Sequence, residues 1–232
     1  MTAPGFQLSP SMRRVERAAA NAILRCVHAG KLTAIPLPIP VEAWIEGPLK
    51  IKFGFADLSS VGADCLAVAR PKLREILISE ALVNQEVRFR FTAAHELGHV
   101  LLHARLGDEF RESPDRDYVE RRIEREADRF AAAFLMPLSI VCKEMTRACQ
   151  SHGNQPDVLL ARIRNGEADS RALFGSVILP HLSRRFGVSL SAAAYRFADA
   201  NTASGESALP LDVCRSFLPA HLAKEVVRRD GP

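Results

Sequence analysis

No two of the five cysteines, Cys26, Cys65, Cys142, Cys149 and Cys214, stand at CxxC spacing, and their number is odd. This argues against both a disulfide framework and a thiolate zinc site and fits a reducing compartment. Long apolar runs are missing too. The longest, "AAAFLMPLSIVC", is interrupted by Pro137 and falls short of the about 20 residues that a bilayer-spanning helix needs. The first residues have no continuous apolar stretch behind a basic pair, so no secretory signal is expected and the protein reads as cytoplasmic. Charge of one sign is also scarce. With 31 Lys and Arg against 27 Asp and Glu, the net charge of +4 is too small to mark a dedicated nucleic-acid binder.

What remains is the balance of a soluble globular chain, 47% hydrophobic and 25% charged, with 232 residues for one large domain or a domain with an appendage. A first helix is expected from about Ser11 to Ala29. Pro36, Pro38 and Pro40 then impose an extended linker, and "VEAWIEG" reads as a short helix closed by Gly47. "LKIKFGFA", "CLAVA" and "EILIS" are strand candidates, the last two separated by a turn around Pro71, and together they predict a small antiparallel sheet. After Asn84 the pattern is helical, over roughly 85–105, 118–136, 138–151, 155–165, 170–186 and 189–200. The expected class is α+β, with a domain over 1–150 and a helical C-terminal region over 151–232.

The chemistry concentrates in "RFTAAHELGHVLLH", residues 90–103. Residues four apart on a helix differ by about 40° in azimuth and about 6 Å in rise, so the rings of His95 and His99 can converge on one ion. Glu96 is turned by about 100° from His95, where its carboxylate can act on a water rather than ligate. This is the HExxH arrangement, with the glutamate as general base. A histidine pair on an apolar helix is costly to bury without partners, and Gly98 in mid-helix points to a close-packed neighbour.

A catalytic zinc needs a third protein ligand. His103 lies on roughly the same face, but about 12 Å of rise separates it from His95 if the helix continues; a structural or substrate-groove role suits it better. In "YVERRIEREADRFAAAFLMP" the residues Glu120, Glu124 and Asp128 share a face, while Glu126 should point away from Glu124. Either Glu120 or Glu124 could ligate. Glu124 has the advantage of Asp128 one turn on, which could accept the free ring proton of a liganding histidine, and of Ala127, which permits close helix approach.

"RFTAAHELGHVLLH" followed by "EREADRFAAAFLMP" closely resembles the ImmA/IrrE family of metallopeptidases, and the preceding sheet is similar to that family as well. The resemblance covers residues 36–140 well and the rest more loosely. It implies a zincin-like fold, metal ligands His95, His99 and Glu124, Glu96 as general base, and Asp128 as the partner of a liganding histidine. It also implies a zinc-dependent endopeptidase that cleaves a helix-turn-helix transcriptional repressor at one site, often in a stress response. Many members carry asparagine at the Asp128 position. Manganese or iron could take the same donor set.

"HLSRRFGVSLSAAAYRF", residues 181–197, looks like a helix-turn-helix with Ser189 as cap, but its second helix offers mostly alanine and one basic residue, Arg196. Packing or repressor recognition therefore suits it better than direct base reading. The alternative to an active peptidase is a non-catalytic regulator on the same scaffold that sequesters a partner or binds DNA; Glu96 would then have no obvious task. For the group that stabilises the oxyanion, Tyr118, Tyr195, His152 and several arginines are chemically able, and the residues do not choose among them. Cys65 reads as a buried, inert thiol. The segment 201–209 is expected to be a loop and about 211–228 a final helix.

Overall fold

The computed structural model describes residues 10–62, 65–111, 118–200 and 207–218. The chain divides into two compact units, one over Ser11–Leu135 and one that holds the chain from Met136 onward. His95, Glu96, His99, Glu124 and Asp128 all fall in the first.

That unit opens with α1 (Pro10–Ala29), which buries Val15, Ala19, Ala22 and Cys26 on one stripe. The proline-rich linker leads to α2 (Val41–Glu46), closed at Gly47, whose N–H donates to Ala43 O. The strands follow as β1 (Lys52–Ala56), β2 (Ala67–Arg70) and β3 (Glu75–Ser79). Between β2 and β3 the chain reverses through a 3-10 turn, Pro71–Leu73. Arg74 closes it in the left-handed region at φ 49°, with its guanidinium donating to the carbonyls of Leu49 and Lys50. Its own carbonyl accepts from Lys52 N and starts the pairing of β1 with β3.

The α+β class is as expected, but the sheet is not wholly antiparallel. Its order is β1-β3-β2-β4, with β2 antiparallel to β3 and to β4, and β1 parallel to β3. The physical reason is topological. β3 inserts between β1 and β2 instead of extending the row, so the β2–β3 hairpin carries β3 back alongside β1 in the same direction. The fourth strand, β4 (Phe110–Arg111), is only two residues long and carries no strand signal in the sequence.

Ile76 and Ile78 of β3 and Ala67, Val68 and Ala69 of β2 are buried, and α3 (Glu86–Leu102), with Ala93, Ala94 and Leu97 buried, packs against both strands. It ends earlier than expected, with His103 as its C-cap. The next helix, α4 (Tyr118–Leu135), buries Ile123, Ala127, Phe130, Ala131 and Phe134 at helical spacing. Phe130 and Phe134 stack with centroids 5.9 Å apart, and Trp44 of α2 meets Phe134 edge-on at 6.0 Å. Each fully buried phenylalanine contributes roughly 1.5–3 kcal/mol.

The second unit is helical: α5 (Leu138–Gln150), α6 (Pro156–Arg164), α7 (Ala168–Leu173), α8 (Leu179–Phe186), α9 (Leu190–Asp199) and α10 (Leu211–Ser216). α5, grouped with the preceding residues in the sequence reading, packs with α6 and α8 in this unit. A π-helical turn, Phe174–Ile178, joins α7 to α8, so 168–186 is nearly continuous helix. Phe174 is buried between Phe197 and Phe217. α10 stops at Ser216; residues 201–206 of the expected loop and 219–228 of the expected final helix lie outside the described residues.

The segment 181–197 has the predicted helix-turn-helix shape. Gly187 takes φ 62°, and Ser189 Oγ accepts from Ala192 N at 3.1 Å to cap α9. Its basic residue does not face outward. Arg196 is 1% exposed, and its Nε donates to Met136 O at 3.0 Å.

Candidate metal centre

Two helices of the first unit build the site. α3 contributes His95, Glu96 and His99 from consecutive turns, and α4 contributes Glu124 and Asp128 from one face. They approach closely at Gly98. A β-carbon there would lie 3.2 Å from Ala127 Cα and 3.2 Å from Phe130 Cβ, tighter than packed atoms normally come. The mid-helix glycine and Ala127 let the donor groups of both helices reach one point.

At that point His95 Nε2 and His99 Nε2 face each other at 3.0 Å. Glu124 Oε2 is 3.1 Å from His95 Nε2, and Glu124 Oε1 is 3.3 Å from His99 Nε2. These three residues form the one His/Cys/Asp/Glu group of metal-ligating geometry among the described residues. Two ligands about 2.0–2.1 Å from a shared ion in tetrahedral geometry stand about 3.3 Å apart, so the spacing suits a small divalent cation. On the far side of the His95 ring, Nδ1 donates to Asp128 Oδ1 at 2.9 Å. That bond leaves the lone pair of a neutral His95 on Nε2, turned toward His99 and Glu124. Electron pairs converging on one point from two nitrogens and a carboxylate require a cation between them, and the donor set therefore fits a metal.

With no metal bound, a proton on His95 supplies that positive charge. Burial disfavours charge on His95, but its hydrogen bonds to Asp128 and Glu124 outweigh burial, and the nearby Glu96 carboxylate adds to them. The net pKa lies well above that of a free imidazole. Burial pushes His99 down to about 4, with only partial compensation from Glu124. For Glu124 burial acts upward, yet the hydrogen bonds with His95 and His99 reverse it and hold the carboxyl far below the usual range. Glu96 itself is buried, at 4% exposure.

A model of the IrrE N-terminal-like domain, peptidase family M78, matches residues 50–198, more than half of the chain. The chain belongs to the M78 peptidase family. The match starts later than the resemblance read from the motifs and runs further, through the helix-turn-helix-like segment of the second unit. No curated protein matches the chain. In this M78 peptidase no helix among the described residues is long and apolar enough to cross a membrane.

His103 lies outside the group of three donors, as its rise along the helix led one to expect. It is 0% exposed, and because α3 stops at Leu102 its ring folds back beneath His99, with Nδ1 to Nδ1 at 3.1 Å. Phe110 of β4 stacks on His99 at 4.7 Å and 15°, and tilts against His103 at 5.9 Å. Glu126 points away from Glu124's partners, as its azimuth predicted, and comes to lie 3.4 Å from His103 Nε2. The four-residue spacing of His99 and His103 was the signal in the sequence for this contact.

The side chains of Glu120 and Tyr118 lie outside those described, and His152 and Tyr195 belong to the second unit. None of the five cysteines forms a disulfide, and all are buried. Burial raises the thiol pKa of Cys26, Cys142 and Cys149 to about 11 and of Cys214 to about 12, so these four are inert at neutral pH.

Proposed function

We propose that this M78 peptidase is a zinc-dependent, cytoplasmic endopeptidase that cleaves a helix-turn-helix transcriptional repressor at one site, with a regulatory role in a stress response. The observation that carries the reading is the convergence of His95 Nε2, His99 Nε2 and Glu124 at 3.0, 3.1 and 3.3 Å, with Glu96 buried on the same helix. His95, His99 and Glu124 hold the ion, and Asp128 holds His95 in the ring orientation and tautomer that ligation needs. Zinc at that position would supply Lewis acidity to a peptide carbonyl and to the attacking water. Manganese or iron could be held by the same donors.

Glu96 takes the proton from water and returns it to the amine that leaves. A buried carboxylate suits this work, since it is shielded from bulk solvent and close enough to His95 to share its field. The sheet edge that reaches the site is β4, because Phe110 stacks directly on His99. An extended substrate segment pairing with that edge would present its backbone beside the ligands.

The test compares wild type with Glu96→Gln, each stripped and reloaded with zinc, incubated with a helix-turn-helix repressor encoded beside this protein. Metal content is measured on both, and cleavage is read by intact mass. The expected result is a single cut by wild type and none by the variant, with equal zinc in each. Cutting by the variant at the wild-type rate would remove Glu96 from the reaction. Binding of intact repressor by fully loaded wild type, without a cut, would favour a sequestering protein on the peptidase scaffold.

A further inference from the structure

The three histidines of α3 and its cap form a chain of rings that ends on a carboxylate at each side. From one end the order is Asp128 Oδ1, His95 Nδ1 and Nε2, His99 Nε2 and Nδ1, His103 Nδ1 and Nε2, and Glu126 Oε2, with successive separations of 2.9, 3.0, 3.1 and 3.4 Å. Glu126 is anchored independently. Arg14 of α1 donates to its Oε2 at 2.6 Å and Arg122 to its Oε1 at 3.2 Å.

A carboxylate only accepts, so the contact with Glu126 selects the His103 tautomer that carries its proton on Nε2. His103 Nδ1 is then an acceptor, and the hydrogen between it and His99 must belong to His99 Nδ1. A neutral His99 protonated on Nδ1 bears its lone pair on Nε2, the atom that faces His95 and Glu124. Asp128 does the same for His95 from the opposite end. Phe110 removes the remaining freedom by stacking flat on His99 while touching His103, which is fully buried.

We infer that His103 and Glu126 are positioning residues for the metal centre: they fix the tautomer and ring plane of His99 as Asp128 fixes those of His95. This rests on the reading of His95, His99 and Glu124 as metal ligands. His99 is thus held by a histidine, a weaker orienting partner than a carboxylate, and the charge that sets the polarity sits one ring further away on Glu126. The link also ties α1 to the metal centre, through Arg14.

The experiment measures zinc affinity of the full chain by competition with a chromophoric chelator, for wild type, His103→Phe, His103→Asn and Glu126→Ala. It is combined with nitrogen-15 spectra of the histidine rings in the zinc-loaded proteins. Phenylalanine keeps the ring volume but has no acceptor; asparagine places an oxygen close to the position of Nδ1. His103→Phe is expected to bind zinc about 10–100-fold more weakly, the usual effect of losing a partner behind a ligand, and His103→Asn to recover most of the loss. Wild type is expected to show zinc on His99 Nε2, a proton on His99 Nδ1 and scalar coupling across that hydrogen bond to His103 Nδ1. Glu126→Ala, at a position that is not fully buried and so less prone to misfolding than His103, is expected to lose that coupling and populate the second His103 tautomer. Unchanged zinc affinity in His103→Phe, or a proton resident on His103 Nδ1 in wild type, would overturn the inference while leaving the metal reading intact. Zinc held without His99 in wild type would overturn both.

Discussion

Gly98 and Ala127 meet with no room for a side chain between them: a β-carbon on the glycine would lie 3.2 Å from the alanine Cα. This contact sets how near α4 brings Glu124 to His95 and His99. The neighbour at Gly98 is backbone as well as the ring of Phe130, and backbone cannot rotate aside.

Gly98→Val is therefore expected to destabilise the fold by about 1–3 kcal/mol through overpacking, despite the better helix propensity of valine. It is also expected to weaken zinc binding, because the helices must part where the donors converge. Chemical denaturation of the metal-free protein reads the first effect and chelator competition the second. Wild-type zinc affinity in the variant would show that the site tolerates a wider helix spacing.

Asp128 accepts from His95 Nδ1 at 2.9 Å from a partly exposed position. Asp128→Ala is expected to weaken zinc binding about 10–100-fold with little loss of stability. Asp128→Asn keeps an oxygen acceptor and is expected to fall between the two. Equal affinities of the alanine variant and wild type would show that His95 keeps its ligating orientation without this partner.

His99 makes metal-free stability fall on the acid side. Its pKa is about 4 in the folded protein and 6.5 when free, so between these values the unfolded chain binds more protons. Stability then drops as pH falls from 6.5 toward 4, by on the order of 3 kcal/mol from this group. In metal-free His99→Gln that part of the slope is expected to be absent. Denaturation midpoints at pH 6.5 and pH 4.5 for both proteins decide it, and parallel losses would mean that His99 is not buried neutral.

Arg196 donates to Met136 O from a buried position. Arg196→Ala is expected to cost about 2 kcal/mol or more, from the cavity and the carbonyl left without its donor. Binding to duplex DNA, followed by fluorescence anisotropy, is expected to stay as in wild type. A loss of DNA binding without a loss of stability would restore this residue to base reading.

The strand candidates "CLAVA" and "EILIS" and nearly every helix after Asn84 could be placed from periodicity, because side-chain direction repeats with each element's own geometry. The direction of β1 could not. A short alternating strand looks the same whether its neighbour runs parallel or antiparallel, and only the insertion of β3 beside it decides. Phe110–Arg111 lies in a polar stretch and forms a strand because β2 offers it a partner.

At the site, the spacing of His95, Glu96 and His99, and the face shared by Glu124 and Asp128, follow from the azimuth of residues along a single helix. That much was set by the sequence alone, as was the need for a small residue at position 98. Which carboxylate of α4 meets the histidines, where His103 turns and what Glu126 holds depend on how separate elements dock. Helical periodicity orients a side chain on its own helix. Only the packing of α3 against α4, with Phe110 laid over His99 and Arg14 reaching in from α1, brings those side chains to the atoms they contact.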